Sequence, residues 1–497
     1  MTPDHRNELP LVEEDEELKE SREWPQILAI LIGSLTSLTV GIFQAWPSPY
    51  LLKLSKDKEN YNISENEASY LPMINPIASV IFSPFASILC DAIGRKKVLL
   101  LTAFPHALAW ILNASTNKVY LFYLARCLIG MSECMIYLAM PMYIGEISTP
   151  KVRGTFGNTL TFSIFFGSLL MTVLGSYVSV KESSYICVTL PIIFFFSFLF
   201  MPESPYYYLM KHRYEDAKVS LRTLSGKKNV DRHFVTLKAL VRRQMSESGT
   251  WTDLFTVHSN RRALISCTYL RVSQVLGGFM VFFNFTQYIF EKSGNSGVSP
   301  QVSSIIFMSL CVFFNFCASL TVDRLGRRLS FMASVGACAI VLFLESLYFY
   351  LDKEVTGVDV NSIKWFPLVG LLLYIIFSSF GIAVVPTLLL GELFSTSIKA
   401  KGLTMMMMIS AASMFSGNYI FYTMSSAFGL YAPLLFFFCI NSVSFVFSFY
   451  LIPETKGKTL EEIQQSMKKK KNGTVKENLN LLGVSPTLVL SNSTFKS

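Results

Sequence analysis

D-A-I-G-R-K-K (Asp91 to Lys97) closes one apolar block of the chain, and D-R-L-G-R-R (Asp323 to Arg328) closes another 232 residues later. Two further pairs keep nearly the same offset. Glu146 precedes Arg153 by seven residues, and Glu392 precedes Lys399 by seven, 246 residues on. P-E-S-P (Pro202 to Pro205) is matched by P-E-T-K (Pro453 to Lys456), 251 residues on. The pairs follow apolar blocks of equivalent rank: second and eighth, fourth and tenth, sixth and twelfth. Such coincidences mark an internal duplication, and the chain reads as two copies of one six-block unit.

Working outward, the blocks fall near 26–48, 68–90, 98–116, 119–145, 155–178, 184–201, 263–290, 300–322, 329–351, 364–390, 403–426 and 429–452. Each has about the twenty residues that a helix needs to cross a hydrocarbon core ~30 Å thick. Over 497 residues the chain is 51% hydrophobic and 15% charged, with a mean hydropathy of +0.42, against about 25% charged in soluble domains. The expected fold is therefore an all-α membrane protein of twelve transmembrane helices in two pseudo-symmetric six-helix bundles. Solute sites at the interface of such repeats are a common transporter design. The expected organisation is an N-terminal tail (1–25), a first bundle (26–203), a hydrophilic linker (204–261), a second bundle (262–452) and a C-terminal tail (453–497). In the linker, 215–224 and 235–245 have helical apolar spacing with a charged face, suiting helices on a membrane surface; the plainer reading is a solvated linker.

Loop charge orients this arrangement. Alternate loops and the two tails hold 33 of the Lys and Arg residues, against 8 in the opposite loops, so the positive-inside rule puts both termini in the cytoplasm. The net charge of +9 is accounted for by that bias and implies no nucleic-acid partner. The acidic N-terminus lacks a cleavable signal pattern, so the first span is expected to be an uncleaved anchor. All nine cysteines lie in or beside spans, which argues against a disulfide framework or a metal site. No G-x-x-x-x-G-K-[ST] loop is present, so neither ATP-driven pumping nor enzyme chemistry is expected, and no cofactor.

P-M-Y-I-G-E-I-S-T-P-K-V-R-G (Pro141 to Gly154), P-E-T-K-G-K-T-L-E-E-I (Pro453 to Ile463) and W-P-S-P (Trp46 to Pro49) resemble the sugar porter family of the major facilitator superfamily, and within it the insect trehalose and hexose facilitators. The resemblance implies alternating access at the plasma membrane. It also implies an inner gate of Asp91, Arg95, Glu146, Arg153, Glu203, Asp323, Arg324, Arg327, Arg328, Glu392, Lys399 and Glu454, whose pairs would join the halves and hold the inner side shut. Read without the family, these are alternating carboxylates and cations at helix ends, where isolated surface pairs are worth ~0–1 kcal/mol each.

A sugar site needs donors and acceptors from both halves. The family's Q-Q-x-S-G-x-N-x-x-x-Y-Y becomes Q-V-L-G-G-F-M-V-F-F-N-F here (Gln274 to Phe285), and the tenth span reads G-I-A-V-V-P-T (Gly381 to Thr387) where G-P-x-P-x-P-W is usual. The polar lining is thinner than in the family. Gln44, Thr161, Gln274, Asn284, Thr387 and Asn418 are the candidates for solute contact, and each also reads as an interhelical hydrogen bond. Charges inside spans are costly and mark function by default. Arg126 matches a family arginine, yet Ile42 stands where proton-coupled members carry an aspartate, which favours uniport. Glu133, two turns along the same helix, is a candidate partner. Arg271 is read three ways: neutralising an anionic solute, pairing with Glu345 or Glu392, or snorkelling to the inner surface.

The sequons at Asn62 and Asn113 fall on the expected outer face and are candidate glycan sites. Lys468 to Lys471 suits anionic lipid or a solvated helix stop, and E-N-L-N-L-L (Glu477 to Leu482) fits a dileucine sorting pattern. Rival readings are a proton-coupled or organic-anion carrier and a non-transporting solute sensor.

Overall fold

The computed structural model describes residues 23–227, 229–246, 249–294, 297–355, 363–395, 398–456 and 462, without the side chains of Ser319, Asp323 and Arg324. The described chain is helical throughout, with no strand among the described residues. The first half contains α1 (Trp24–Ala45), α2 (Pro47–Lys56), α3 (Glu65–Ser69), α4 (Leu71–Ile93), α5 (Arg95–Ser115), α6 (Val119–Ile147), α7 (Pro150–Phe156), α8 (Thr159–Tyr177), α9 (Val180–Cys187) and α10 (Thr189–Phe198). Four short helices follow: α11 (Pro205–Met210), α12 (Tyr214–Ser225), α13 (Asp231–Ser246) and α14 (Asp253–Thr256). The second half contains α15 (His258–Leu276), α16 (Phe279–Lys292), α17 (Pro300–Leu325), α18 (Arg327–Glu354), α19 (Phe366–Ser379), α20 (Val385–Leu393), α21 (Lys399–Phe428) and α22 (Tyr431–Leu451).

Among the described residues, ten helical stretches are long and apolar enough to cross a membrane. The other two expected blocks are helical as well. The tenth is broken between α19 and α20, so neither piece spans alone, and the eleventh, α21, dilutes its apolar residues with lysines, serines and an asparagine. The seventh block is also broken, between α15 and α16, at Gly278 with φ +101°, a left-handed conformation that glycine tolerates best.

Close backbone approach at glycine sets the packing of α1 against α8. A Cβ on Gly41 would run into the backbone of Ile164, and one on Gly167 into the carbonyl of Leu38, the small-residue contact that lets membrane helices meet. Across the halves, α4 packs on α21 and α8 on α17. The apolar core is continuous between the halves at the end remote from the duplicated motifs. At the motif end the first half keeps its own core, which only Leu403 and Met407 of α21 reach from the second.

The linker is structured. Leu209, Ala217, Leu221, Val230, Phe234 and Val241 make its small core. Gln26 ties it to the first span, donating to Leu224 O (3.2 Å) and accepting from the Thr149 backbone N–H (2.9 Å). Lys468 to Lys471 and Glu477 to Leu482 lie outside the described residues.

Gly41→Val is expected to destabilise the protein by about 1–3 kcal/mol, as overpacking does. The readout is a lowered melting temperature in detergent. Gly154→Ala, at a glycine whose Cβ would meet nothing within 4 Å, should leave the melting temperature unchanged.

Candidate functional site

The duplicated motifs build the same turn twice. Gly94 (φ +102°) and Gly326 (φ +94°) stand immediately before α5 and α18. Into the N-terminus of each helix points a carboxylate from the end of its own half. Glu203 accepts from the Lys96 backbone N–H (3.0 Å), and Glu454 from those of Arg327 and Arg328 (3.2 Å each). These are first-turn donors that the helix itself cannot satisfy, and the dipole there favours a negative charge. Beside each turn lies an ion pair, Arg95 with Glu146 at 3.1 Å and Arg327 with Glu392 at 3.0 Å. The hydroxyl that follows each P-E pair completes it: Ser204 donates to Glu146 and Thr455 to Glu392. Asp91 adds a weaker contact to Arg95 at 3.4 Å. Arg328 donates to the Phe449 carbonyl.

These pairs do not join the halves in this conformation, contrary to the expectation from sequence. Every described pair of the motif face is made within one half, because each carboxylate lies at a helix end adjoining the cation's turn. Arg153 donates to the carbonyls of Gly145 (2.5 Å) and Ser148 (3.2 Å), and Lys399 repeats this with Gly391 (3.2 Å). These two cations lie near enough to act on each other across the halves. The side chains of Asp323 and Arg324 lie outside the described residues.

At mid-depth a polar string crosses from half to half. Gln44 of α1 donates to the Tyr137 hydroxyl of α6 (2.9 Å), and Tyr137 lies within electrostatic reach of Arg271 on α15. Arg271 donates to Gln274 Oε1 (2.8 Å), and Gln274 Nε2 donates to the carbonyls of Ile382 (2.8 Å) and Ala383 (3.3 Å). Those carbonyls belong to the break between α19 and α20, where helical bonding is lost. The other break is satisfied by Tyr374 and Asn441, which donate to Gly277 O at 3.0 and 2.9 Å. Non-helical backbone at membrane depth needs such partners. Arg271 thus pairs with neither Glu345 nor Glu392, and its Nε meets no acceptor among the described residues.

Arg126 makes no direct salt bridge among the described residues, although Glu133 lies within electrostatic reach of it. Its guanidinium donates to Phe43 O (3.0 Å) and lies 4.4 Å from the centroid of the Trp46 ring, a cation–π contact worth ~2 kcal/mol when desolvated. Glu133, the expected partner, instead accepts from Asn75 (3.0 Å), and no salt bridge links it to Arg126 among the described residues.

The remaining candidates separate. Asn284 donates to Asn418 (3.2 Å), which donates to the Pro72 carbonyl of α4 (3.0 Å), so both bind the halves together. Further links lie toward the same face: Lys56 with Glu291, Lys292 with Glu65 (3.7 Å), the Gln287 backbone N–H with Ser48 Oγ (3.1 Å), and the Tyr422 hydroxyl with Asn66 Oδ1 (2.7 Å). Thr161 is half-buried and Thr387 exposed, and neither hydroxyl joins the string among the described residues. Asn62 is exposed, with φ +37°. Asn113 is 1% exposed inside α5; this sequon lies on a packed helix face, and its amide is closed to modification in this conformation.

Residues 36–467 match the family model "Sugar (and other) transporter". The chain belongs to the sugar transporter family. This transporter is 30% identical over 452 residues to the facilitated trehalose transporter Tret1 of Polypedilum vanderplanki, covering 89% of this chain and 88% of the relative. It is 29% identical over 447 residues to Tret1 of Bombyx mori, covering 89% and 87%. Its fold matches the xylose transporter XylE from E. coli in an inward open conformation, with a TM-score of 0.69 and 20% identity over 88% of this chain and 98% of that one. It also matches the proton:xylose symporter XylE bound to 6-bromo-6-deoxy-D-glucose, with a TM-score of 0.70 and 19% identity over 89% and 99%. The protein is a multi-pass membrane transporter of the major facilitator fold, and not an enzyme.

The sequence reading missed Tyr137, which only the fold brings between Gln44 and Arg271, and the gate charges Lys56, Glu65, Glu291 and Lys292, which look like ordinary loop residues. Glu146→Gln should cost the transporter about 3 kcal/mol, because it leaves Arg95, 3% exposed, without its carboxylate. Thermal unfolding in detergent checks it.

Proposed function

We propose that the transporter is a facilitative uniporter for a sugar, trehalose or a hexose, acting by alternating access in the plasma membrane. The string Gln44–Tyr137–Arg271–Gln274 carries this reading. It brings polar groups of both halves near one another, with Tyr137 within electrostatic reach of Arg271, supplies both donors and acceptors, and ends on the break of the tenth span. Relatives named as facilitated trehalose transporters support the substrate class. Uniport is supported by Ile42, which stands where proton-coupled members carry an aspartate, and by Arg126, whose direct contacts are a carbonyl and an indole ring.

The domains follow the duplication: bundles at 26–203 and 262–452, a linker at 204–261, and tails at either end. The motif face, with most of the basic residues, is cytoplasmic, and the Asn62 side is external. In this state the external side is shut by polar links between halves, while the inner motif pairs are turned inward within each half. Closing the inner side exchanges partners: Arg153 for Glu392, and Lys399 for Glu146.

Proteoliposomes should exchange labelled trehalose or glucose in counterflow, with a rate unchanged by a proton uncoupler. Gln274→Ala should lower that rate about tenfold or more, the loss expected for ~1–3 kcal/mol of hydrogen bonding. Arg271, with Nε lacking an acceptor, favours a second reading: exchange of organic anions alone would replace sugar as the substrate. In cells, Asn62→Gln should abolish the mobility shift produced by a peptide N-glycosidase, and Asn113→Gln should not.

A further inference from the structure

A crevice of about 690 Å³ opens on the face opposite the motifs, between the outer end of α2, the turn from α8 to α9, and the facing ends of α16 and α17. Its size falls in the range of small-molecule sites, ~300–1,000 Å³. Lys56, Tyr61 and Tyr177 of the first half and Gln287, Glu291 and Gln301 of the second contribute to its walls. Gln287 lies 13 residues beyond Gln274, about 20 Å along a helical path, so the crevice is separate from the mid-depth string.

Three features give it ligand chemistry. Gln287 is 3% exposed and its Oε1 accepts no hydrogen bond among the described residues, an unfavourable state for a buried acceptor. The terminal torsion of a glutamine is soft, so rotation of the amide turns that oxygen to a hydroxyl in the crevice. Tyr177 is 71% exposed at the wall and offers a flat ring to the C–H face of a pyranose, while Gln301 adds a second amide. The charges nearest the floor are already engaged: Lys53 donates to Val178 O (2.9 Å) and Lys56 pairs with Glu291. That leaves Lys181 and Asp57, one charge of each sign, the latter accepting from Asn60, and a wall with no net charge to spare favours a neutral, hydroxyl-rich occupant over an anion.

We propose that this crevice binds a second molecule of neutral polyol, of disaccharide size, and that its occupancy holds the external gate shut. The class of ligand rests on the sugar reading above. The state dependence does not, because walls drawn from both halves exist together only while α2 and α16 are in contact, and a ligand stabilises the state it binds. External sugar at high concentration is then a brake on its own uptake.

The test uses the purified full chain, with trehalose as probe, in two measurements. Equilibrium dialysis should give two equivalents bound per wild-type chain and one for both Gln287→Leu and Tyr177→Ala. Uptake into proteoliposomes should rise and then fall with external trehalose in the wild type. In the two variants the fall should vanish or move at least tenfold higher in concentration, with the half-saturation of the rising limb unchanged. A single equivalent in the wild type, or variants that bind and inhibit as it does, overturns the proposal. Loss of one equivalent in Gln287→Leu without any trehalose uptake upholds the crevice and refutes the transport reading. Binding of citrate in place of trehalose at the Gln287-dependent site refutes the neutral-polyol assignment.

Discussion

A carboxylate seated on the exposed N–H groups of a helix N-terminus is the contact on which each half is assembled. Glu203 and Glu454 bring the last strap of their half back to the turn that opens its third span. The turn works because glycine at Gly94 and Gly326 adopts positive φ, leaving room for the acid where a Cβ would meet it. The neighbouring pairs Arg95–Glu146 and Arg327–Glu392 and the hydroxyls of Ser204 and Thr455 extend the same constellation. Four helix ends are thereby fixed in each half by atoms that are partly withdrawn from water, where pairing is worth more than at an open surface.

Because these clusters are self-contained, the contacts made across the halves form a separate set. In this conformation those contacts are unequal. On the face opposite the motifs they are polar and specific: Asn418 to Pro72, Gln287 to Ser48, and the charge pairs of α16 with α2 and α3. Toward the motif face they are apolar and few, with Arg153 and Lys399 approaching as like charges. Exchange of a few weak contacts is the scale on which a two-state carrier must operate, since a deeply stable gate would not reopen.

Much of this was legible in the sequence, for local reasons. The spans announce themselves by length, and the turns by the fixed order of acid, glycine and arginine; repetition at offsets of 232, 246 and 251 residues tied them to equivalent places. What could not be read was partnership. Glu146 and Arg153 are close in sequence, yet Glu146 takes Arg95 from another helix. Glu133 has the helical spacing to reach Arg126, yet Asn75 occupies it. Asn284 and Asn418 have the chemistry of solute contacts, and in this conformation their amides bond to each other and to the Pro72 carbonyl. Asn113 has a glycosylation pattern and a buried side chain. In each case residue type is set by local chemistry, while the partner is set by helix rotation that no short motif encodes.

The breaks in the seventh and tenth spans have a mechanical meaning. Gln274 grips the loosened carbonyls of Ile382 and Ala383, and Tyr374 and Asn441 grip Gly277, so the two interruptions are clasped to one another instead of floating in the bilayer. Rigid rods running the full depth of the membrane would have to tilt as wholes. Here the outer pieces of the two spans, α16 and α19, are each set off from the inner pieces by a break, so a bend at the mouth of the carrier has two places to occur without tilting a whole span.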